Sequence, residues 1–334
     1  MGTRPLAAWL SCLAVILPLL CAEQPAQADE GAERAPGSPE CPEVCEAARV
    51  APARMLNGHR FIPFQVVTWP LVTTRFAAVT SAGALWVQRD AGNSETLVTL
   101  QENFLFEWAL LRWLGIEGNL LGSTASATDL DGILGTGASY AYGGRIGLVT
   151  RLLERGAFYF SARVDGEEQR FQTIVPRRAL QDVRISLTRL PFHTSRIVDS
   201  GRLYRVRPSL NLAVGVARWF GLQTSLALSV DTQTRERTGA QTYTTLDVAL
   251  GGSFDLNQVR VPVSILVGGR LMHDLSQTPP FVAALQPSGT SRGQLELALY
   301  YSGRPGFDLG LSVRCDLGSS ESALLFSPVI NYVW

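Results

Sequence analysis

The chain has 334 residues, 46% of them hydrophobic, and its 29 basic and 29 acidic side chains leave a formal net charge of zero. This balance argues against a nucleic-acid-binding protein that relies on a basic surface. All the basic residues are arginine, so the chain has neither a Schiff-base lysine nor a P-loop lysine. The sequence shows no dinucleotide-binding or metal-binding motif, and we predict no cofactor and no metal site.

Residues 1–28 contain the three parts of a secretory signal peptide. Arg4 supplies positive charge, an apolar stretch runs from residue 6 to about residue 22, and Ala26-Gln27-Ala28 is an A-x-A cleavage site. The alternative is an uncleaved membrane anchor, which the short apolar run and the cleavage site disfavour. We therefore predict export and cleavage near Ala28.

Residues 29–70 are predicted to form a periplasmic N-terminal segment, because Ala, Pro and Glu predominate up to about residue 53. In an oxidising compartment Cys41 and Cys45 are expected to form a local disulfide. With no histidine nearby, the two thiols do not make a metal site. We judge this segment too short for a folded plug domain.

Residues 71–334 break into segments in which apolar and polar side chains alternate. Leu295, Leu297 and Leu299, for example, alternate with Glu296 and smaller residues. Strands of about ten residues with one apolar and one polar face are typical of membrane-spanning β-barrels, and a barrel must close because an open edge in lipid leaves backbone groups unpaired. We predict an all-β, closed, up-and-down antiparallel transmembrane barrel of about twelve strands.

The connections between these strands alternate in length, with tight turns at one end and mostly longer loops at the other, which is the habit of such barrels. The longest, residues 165–201, leaves the strand number open. Segments 170–175 and 182–187 could form a further hairpin, raising the total to about fourteen strands, or a helix could begin at Pro176. The loop could fold into the lumen or form an extracellular hairpin.

The last strand, residues 324–334, is apolar at every second position and ends in Trp334. A chain-terminal strand that ends in an aromatic residue resembles the last strand of Gram-negative outer-membrane β-barrels, where it is the assembly signal. The resemblance implies a location in the outer membrane, with membrane lipid and the barrel-assembly machinery as partners. The residues that would carry the signal are Phe326, Ile330, Tyr332 and Trp334.

The polar register is predicted to face the lumen. Charges of both signs occur there, with arginine prevailing in the middle strands, and they would either pair or set the field of a pore. The predicted lumen-lining residues are Glu107, Glu117, Arg145, Arg151, Arg163, Arg205, Arg207, Asp247, Arg260, Arg270, Glu296, Asp308, Arg314 and Asp316.

The favoured function is a passive, porin- or transporter-like channel for a small solute, without enzymatic activity. The alternative is a sealed barrel that serves as a structural or docking part of an envelope complex for secretion, motility or adhesion. A third hypothesis, a barrel lipid hydrolase, rests on His193 and Ser195, which resemble the H-x-S pair of outer-membrane lipid hydrolases. That pair has no acidic or amide partner at convincing spacing.

Overall fold

The computed structural model describes residues 54–88, 94–128, 137–174, 198–235, 239–276, 291–304, 306–317 and 321–334. A short hairpin of β1 (Met55–Leu56) and β2 (His59–Arg60) precedes the strands of a closed barrel. The barrel strands are β3 (Arg75–Gln88), β4 (Ser94–Leu111), β5 (Leu114–Ala127), β6 (Ala138–Arg155), β7 (Phe158–Ile174), β8 (Val198–Ala217), β9 (Phe220–Arg235), β10 (Gly239–Asp255), β11 (Val263–Asp274), β12 (Ser291–Arg304), β13 (Phe307–Leu317) and β14 (Glu321–Val333).

Each barrel strand pairs antiparallel with its neighbours in sequence, and β14 closes the barrel on β3. The closed up-and-down fold is therefore confirmed, with twelve barrel strands in the described ranges. Residues 170–174 are the end of β7 rather than the start of an extra hairpin, and residues 182–187 lie outside the described part. Charged residues continue at every second position of β7, from Arg163 through Asp165 to Glu167. The strand is therefore longer than the sequence predicts.

One end of the barrel is made of tight connections, and we call it the short-turn end. Two residues join β4 to β5, β6 to β7, β8 to β9, and β12 to β13, and a 3-10 turn follows β10. Both the start of β3 and the end of β14 lie at this end, where the Trp334 amide donates to the Thr74 carbonyl at 3.1 Å. At the other end, longer connections follow β3, β5, β7 and β11, whereas only three residues separate β9 from β10 and β13 from β14. The predicted alternation of tight turns and longer connections is thus present in part.

The outer face of the barrel is apolar between two levels of aromatic side chains. Trp108, Trp219 and Trp334 are exposed near the short-turn end, and Trp86 and Tyr204 are exposed toward the other. Phe76 and Trp86 lie ten residues apart on β3, which in a tilted strand corresponds to about 25 Å, the height of the lipid-facing band of such barrels. No helix among the described residues is long and apolar enough to cross a membrane.

This outer surface predicts the effect of a charge placed on it. Leu297 is exposed in the middle of the band on β12, so Leu297→Arg should lower the free energy of unfolding in lipid vesicles by about 2–4 kcal/mol. Val259→Arg is the control, because Val259 is exposed in the 3-10 turn after β10. Equal urea-unfolding midpoints for the two variants would contradict a lipid-facing position for Leu297.

Candidate functional site

The segment that leads into the barrel lies inside it. Residues 54–74, which we call the plug segment, run from the short-turn end to the middle of the lumen and return to the start of β3. Their path is marked by contacts of Asn57 with Gly215, of Gln65 with Glu296 on β12, and of Thr73 with Glu107 on β4. The lumen is therefore occupied at its short-turn half.

Apolar side chains of the plug segment pack against the inner wall as two small hydrophobic cores. Phe61, Ile62 and Leu71 are fully buried, so water does not reach them. One core comprises Ile62, Phe64, Val66 and Val67 with wall residues Ala249, Leu266, Ala298, Tyr300 and Val329; the other comprises Leu56, Phe61, Trp69 and Leu71 with Tyr159 and Ala213.

Inward-facing glycines make room for the plug segment. A β-carbon added at Gly251 of β10 would lie 2.6 Å from Cζ of Phe64. One at Gly221 of β9 would lie 2.3 Å from Cδ2 of His59. Real β-carbons do not approach this closely, so side chains at these positions and the seated plug segment exclude each other.

The plug segment has few backbone partners of its own, and side chains of the wall supply them. Glu296 accepts from the amides of Gln65 and Val66 at 2.9 and 3.0 Å. The Gln223 side chain donates to the Ile62 carbonyl at 2.9 Å. Near the return, Ser161 donates to the Pro70 carbonyl, the Val72 amide donates to the Tyr159 hydroxyl, and Arg163 donates to the Trp69 carbonyl. Buried backbone groups need such partners, so these polar residues position the segment.

An aspartate holds the start of the plug segment at the short-turn end. The Asp308 carboxylate is fully buried and accepts from Arg54 Nη1 at 2.7 Å and Arg60 Nη2 at 2.5 Å. Asn331 of β14 donates to the same carboxylate at 2.7 Å. A buried carboxylate with three donors is well compensated, whereas removal of one partner would leave an unpaired buried charge.

This position differs from the one predicted for residues 29–70. Residues 54–70, the described part of that range, lie inside the barrel rather than outside it. No folded domain is needed to fill this half of the lumen, because an extended segment with apolar side chains fills it. The prediction that the segment is too short for a folded plug domain did not consider this extended arrangement.

The structure places most of the predicted lumen residues on inward positions of the strands. They pair across neighbouring strands: Arg145 with Glu117, Arg207 with Asp165, and Arg270 with Asp247. Arg163 also contacts Glu117. The inward set is Glu107, Glu117, Arg145, Arg163, Arg205, Arg207, Asp247, Arg270, Glu296, Asp308, Arg314 and Asp316.

Of the two remaining predicted lumen residues, Arg260 is placed elsewhere, whereas Arg151 keeps the inward parity of β6, opposite the buried Ser161. Arg260 is exposed in the connection after β10, with a left-handed φ of 65°. The 3-10 turn over 256–259 delays the start of β11 to Val263, so Arg260 does not line the lumen, and that prediction is wrong. Arg151 lies beside the bulge near the short-turn end of β6 and pairs with Glu154 of the same strand.

Sequence reasoning missed several charged lumen residues. Arg54 and Arg60 belong to the plug segment, and Arg75 stacks on the Trp69 ring at 5.1 Å from the ring centre. Asp165 and Glu167 fall within the connection that the sequence predicts over residues 165–201. Their alternation with Arg163 was the available signal that β7 continues.

Several predictions concern residues outside the described part of the chain. These are the signal peptide with its cleavage near Ala28, the Cys41–Cys45 disulfide, and the His193 and Ser195 pair. They stay predictions.

Above the plug segment the lumen opens into a cavity of about 610 Å³. The floor of this cavity is formed by residues 63–69 of the plug segment. Its wall carries many arginines, together with amide side chains such as Gln101, Asn103 and Asn119. The lumen thus has a packed apolar half and a polar half with room for a solute.

His59 lies at the packed end, where its Nε2 is 2.8 Å from the Ser253 hydroxyl and its ring meets the Phe61 ring edge to face at 4.8 Å. Burial lowers the pKa of His59 to about 4; the Arg218 backbone and the nearby Asp255 oppose this shift. The imidazole is therefore neutral at neutral pH, and protonation is disfavoured while the plug segment is seated.

No protein-family model matches the chain, and no curated protein matches it in sequence. Among solved structures, the chain is similar to the translocator domain of the autotransporter NalP from Neisseria meningitidis (9% identity, 78% of this chain, 88% of that chain, TM-score 0.49). It is also similar to the transport unit of the autotransporter AIDA-I from Escherichia coli (12% identity, 82% of this chain, 94% of that chain, TM-score 0.47). A third similar structure is the TodX monoaromatic hydrocarbon channel, a deltaS2 mutant (9% identity, 78% of this chain, 89% of that chain, TM-score 0.47). With identities this low, the assignment of the fold rests on the closed strand register itself.

The environment of His59 predicts a pH dependence of stability. Its folded-state pKa is depressed below the ordinary value of 6.5, so between these two values the unfolded chain binds more protons and stability is lost as the pH falls. From pH 7.5 to 5.0 the free energy of unfolding should decrease by about 2 kcal/mol more in the wild type than in His59→Gln. Urea titrations at both pH values measure the difference, and parallel pH profiles would contradict the assignment.

Proposed function

We propose that the protein is an outer-membrane β-barrel channel that its own plug segment keeps closed. The observation that carries the proposal is the division of one lumen into a packed half and a cavity. The cavity is polar and large enough for a small solute, whereas the short-turn half is filled by fully buried side chains. A solute can cross only when the plug segment leaves its seat. The packing of the short-turn half favours a closed channel that opens over the passive pore expected from the sequence.

The outer surface supports the membrane location. An apolar band between aromatic levels suits a bilayer. Phe326, Ile330 and Tyr332 lie exposed on the outer face of β14, and Trp334, directly after the strand, is also exposed. We propose that these four residues form the assembly signal read by the barrel-assembly machinery, with lipid as the other partner. In this orientation the short-turn end and the entry of the plug segment lie on the periplasmic side. We propose no enzymatic activity.

The second candidate is a sealed barrel that serves as a structural or docking part of an envelope complex. The two hydrophobic cores around the plug segment favour it, because apolar packing of this kind resists displacement. The two candidates differ in one property, which is whether the plug segment can leave without loss of the barrel.

A variant that unseats the plug segment tests the proposal. Gly251→Leu places a side chain where the Phe64 ring now lies. In planar lipid bilayers we expect rare openings from the wild type and an open probability at least tenfold higher from Gly251→Leu.

Gly118→Leu is the matched control, because Gly118 has the outward parity on β5, opposite the exposed Phe106, and a β-carbon there meets no atom within 4 Å. Both variants should retain heat-modifiable migration on gels, which shows that the barrel has folded. A folded Gly251→Leu variant that is as silent as the control would overturn the channel and favour the sealed scaffold.

A further inference from the structure

The arginines that line the cavity are not equivalent to their carboxylate partners. In three of the pairs the arginine is clearly the more exposed member: side-chain exposure is 15% for Arg145 against 1% for Glu117, and 27% for Arg205 against 3% for Asp231. Arg270 shows the same difference, 22% against 7% for Asp247. The carboxylates are held against the wall, and the guanidinium groups face the solvent of the cavity.

The pairing geometry leaves donors free. Arg205 and Arg207 each direct Nε and Nη2 at one aspartate, at 2.7–2.8 Å for Asp231 and 3.2–3.3 Å for Asp165. Arg270 engages Asp247 with the same two nitrogens. A guanidinium group has five N–H donors, and its planar edges suit carboxylate and phosphate oxygens. Within the described residues, Nη1 of Arg207 and Arg270 makes no hydrogen bond, so that edge remains for a ligand.

The arginines are also close enough to act on one another. Arg145, Arg205, Arg207 and Arg270 all line the same cavity, so their positive charges repel one another. An anion placed between them would relieve this repulsion and would accept from several guanidinium groups at once. Among the residues that line the cavity within the described part of the chain, Glu167 is the only acidic one on an inward strand position, since Glu102 has the outward parity on β4.

We propose that this cavity is a binding site for a small solute that carries carboxylate or phosphate groups. Its volume of about 610 Å³ lies within the range of about 300–1,000 Å³ that is usual for small-molecule sites. The amides supply additional polar contacts: Gln65 Nε2, Asn103 Oδ1 and Asn119 Oδ1 are buried without a partner among the described residues. These groups suit a solute that also carries hydroxyl groups.

The site adjoins the plug segment, since residues 63–69 form its floor. The inference therefore deepens the proposed function, and it rests on that function for the view that the cavity lies on the path of a solute. Binding itself requires no conduction. A solute in the cavity would touch the same turn of the plug segment that Glu296 holds through the amides of Gln65 and Val66.

Calorimetric titration of the folded full chain in detergent tests the site, with citrate and inorganic phosphate as the anionic probes and sorbitol as the neutral one. We expect at least one anion to bind, with an affinity that falls as the salt concentration rises, and sorbitol not to bind. Binding of citrate alone would assign the site to carboxylates, and binding of phosphate alone to phosphates; both results support the proposal.

Paired substitutions keep the test independent of folding. Arg207→Gln with Asp165→Asn, and Arg270→Gln with Asp247→Asn, remove both charges of a pair, so that neither partner is left as an unpaired buried charge. Each double variant should weaken anion binding at least tenfold. Arg112→Gln, in the exposed turn after β4, is the control and should bind as the wild type does.

Absence of binding by both anions, or unchanged affinity in both double variants, would overturn the site. The two proposals fail separately. A barrel that binds citrate but never conducts would support the binding site and contradict the channel. A barrel that conducts after release of the plug segment but binds neither anion would support the channel and contradict the binding site.

Discussion

The structure depends on hydrogen bonds between the wall of a closed barrel and the backbone of an extended segment inside it. The barrel strands satisfy one another completely, so the plug segment has no strand edge on which to pair. Its buried amides and carbonyls must find side chains instead. Glu296, Gln223 and Tyr159 supply them at different levels of the wall, and this explains why a lumen packed with apolar residues also contains fully buried polar ones.

The same constraint explains how the lumen is divided. Where the plug segment passes, wall glycines and alanines leave space and apolar side chains fill it. Beyond its turn near Glu296 nothing in the described chain fills the centre, and the wall carries arginines oriented by buried carboxylates. A charge in this position stays tolerable because it has both an ionic partner and solvent. The closure and the solute recognition that we propose thus use separate levels of one lumen.

The barrel could be predicted from the sequence because a strand has a period of two, which separates a lipid-facing register from an inward one. On β12, Leu295, Leu297 and Leu299 face outward and Glu296 faces inward, as this period requires. The plug segment could not be predicted in this way. It is irregular, contains Pro63 and Pro70, and its residues are buried by the wall rather than by a strand partner. Arg260 was misplaced for a related reason, since a 3-10 turn interrupts the alternation without changing the composition.

The position of the plug segment is the central claim, and a disulfide across the lumen tests it most directly. A β-carbon at Gly268 of β11 would lie 3.0 Å from Cγ2 of Val66, which suits a bridge between cysteines at the two positions. With the native cysteines replaced by serine, Val66→Cys with Gly268→Cys should oxidise readily in the folded, membrane-inserted protein, and mass spectrometry should identify the linked peptides. Val66→Cys with the outward-facing Gly118→Cys should not form a disulfide. Two free thiols in the first pair, with the barrel folded, would contradict a lumen closed by this segment.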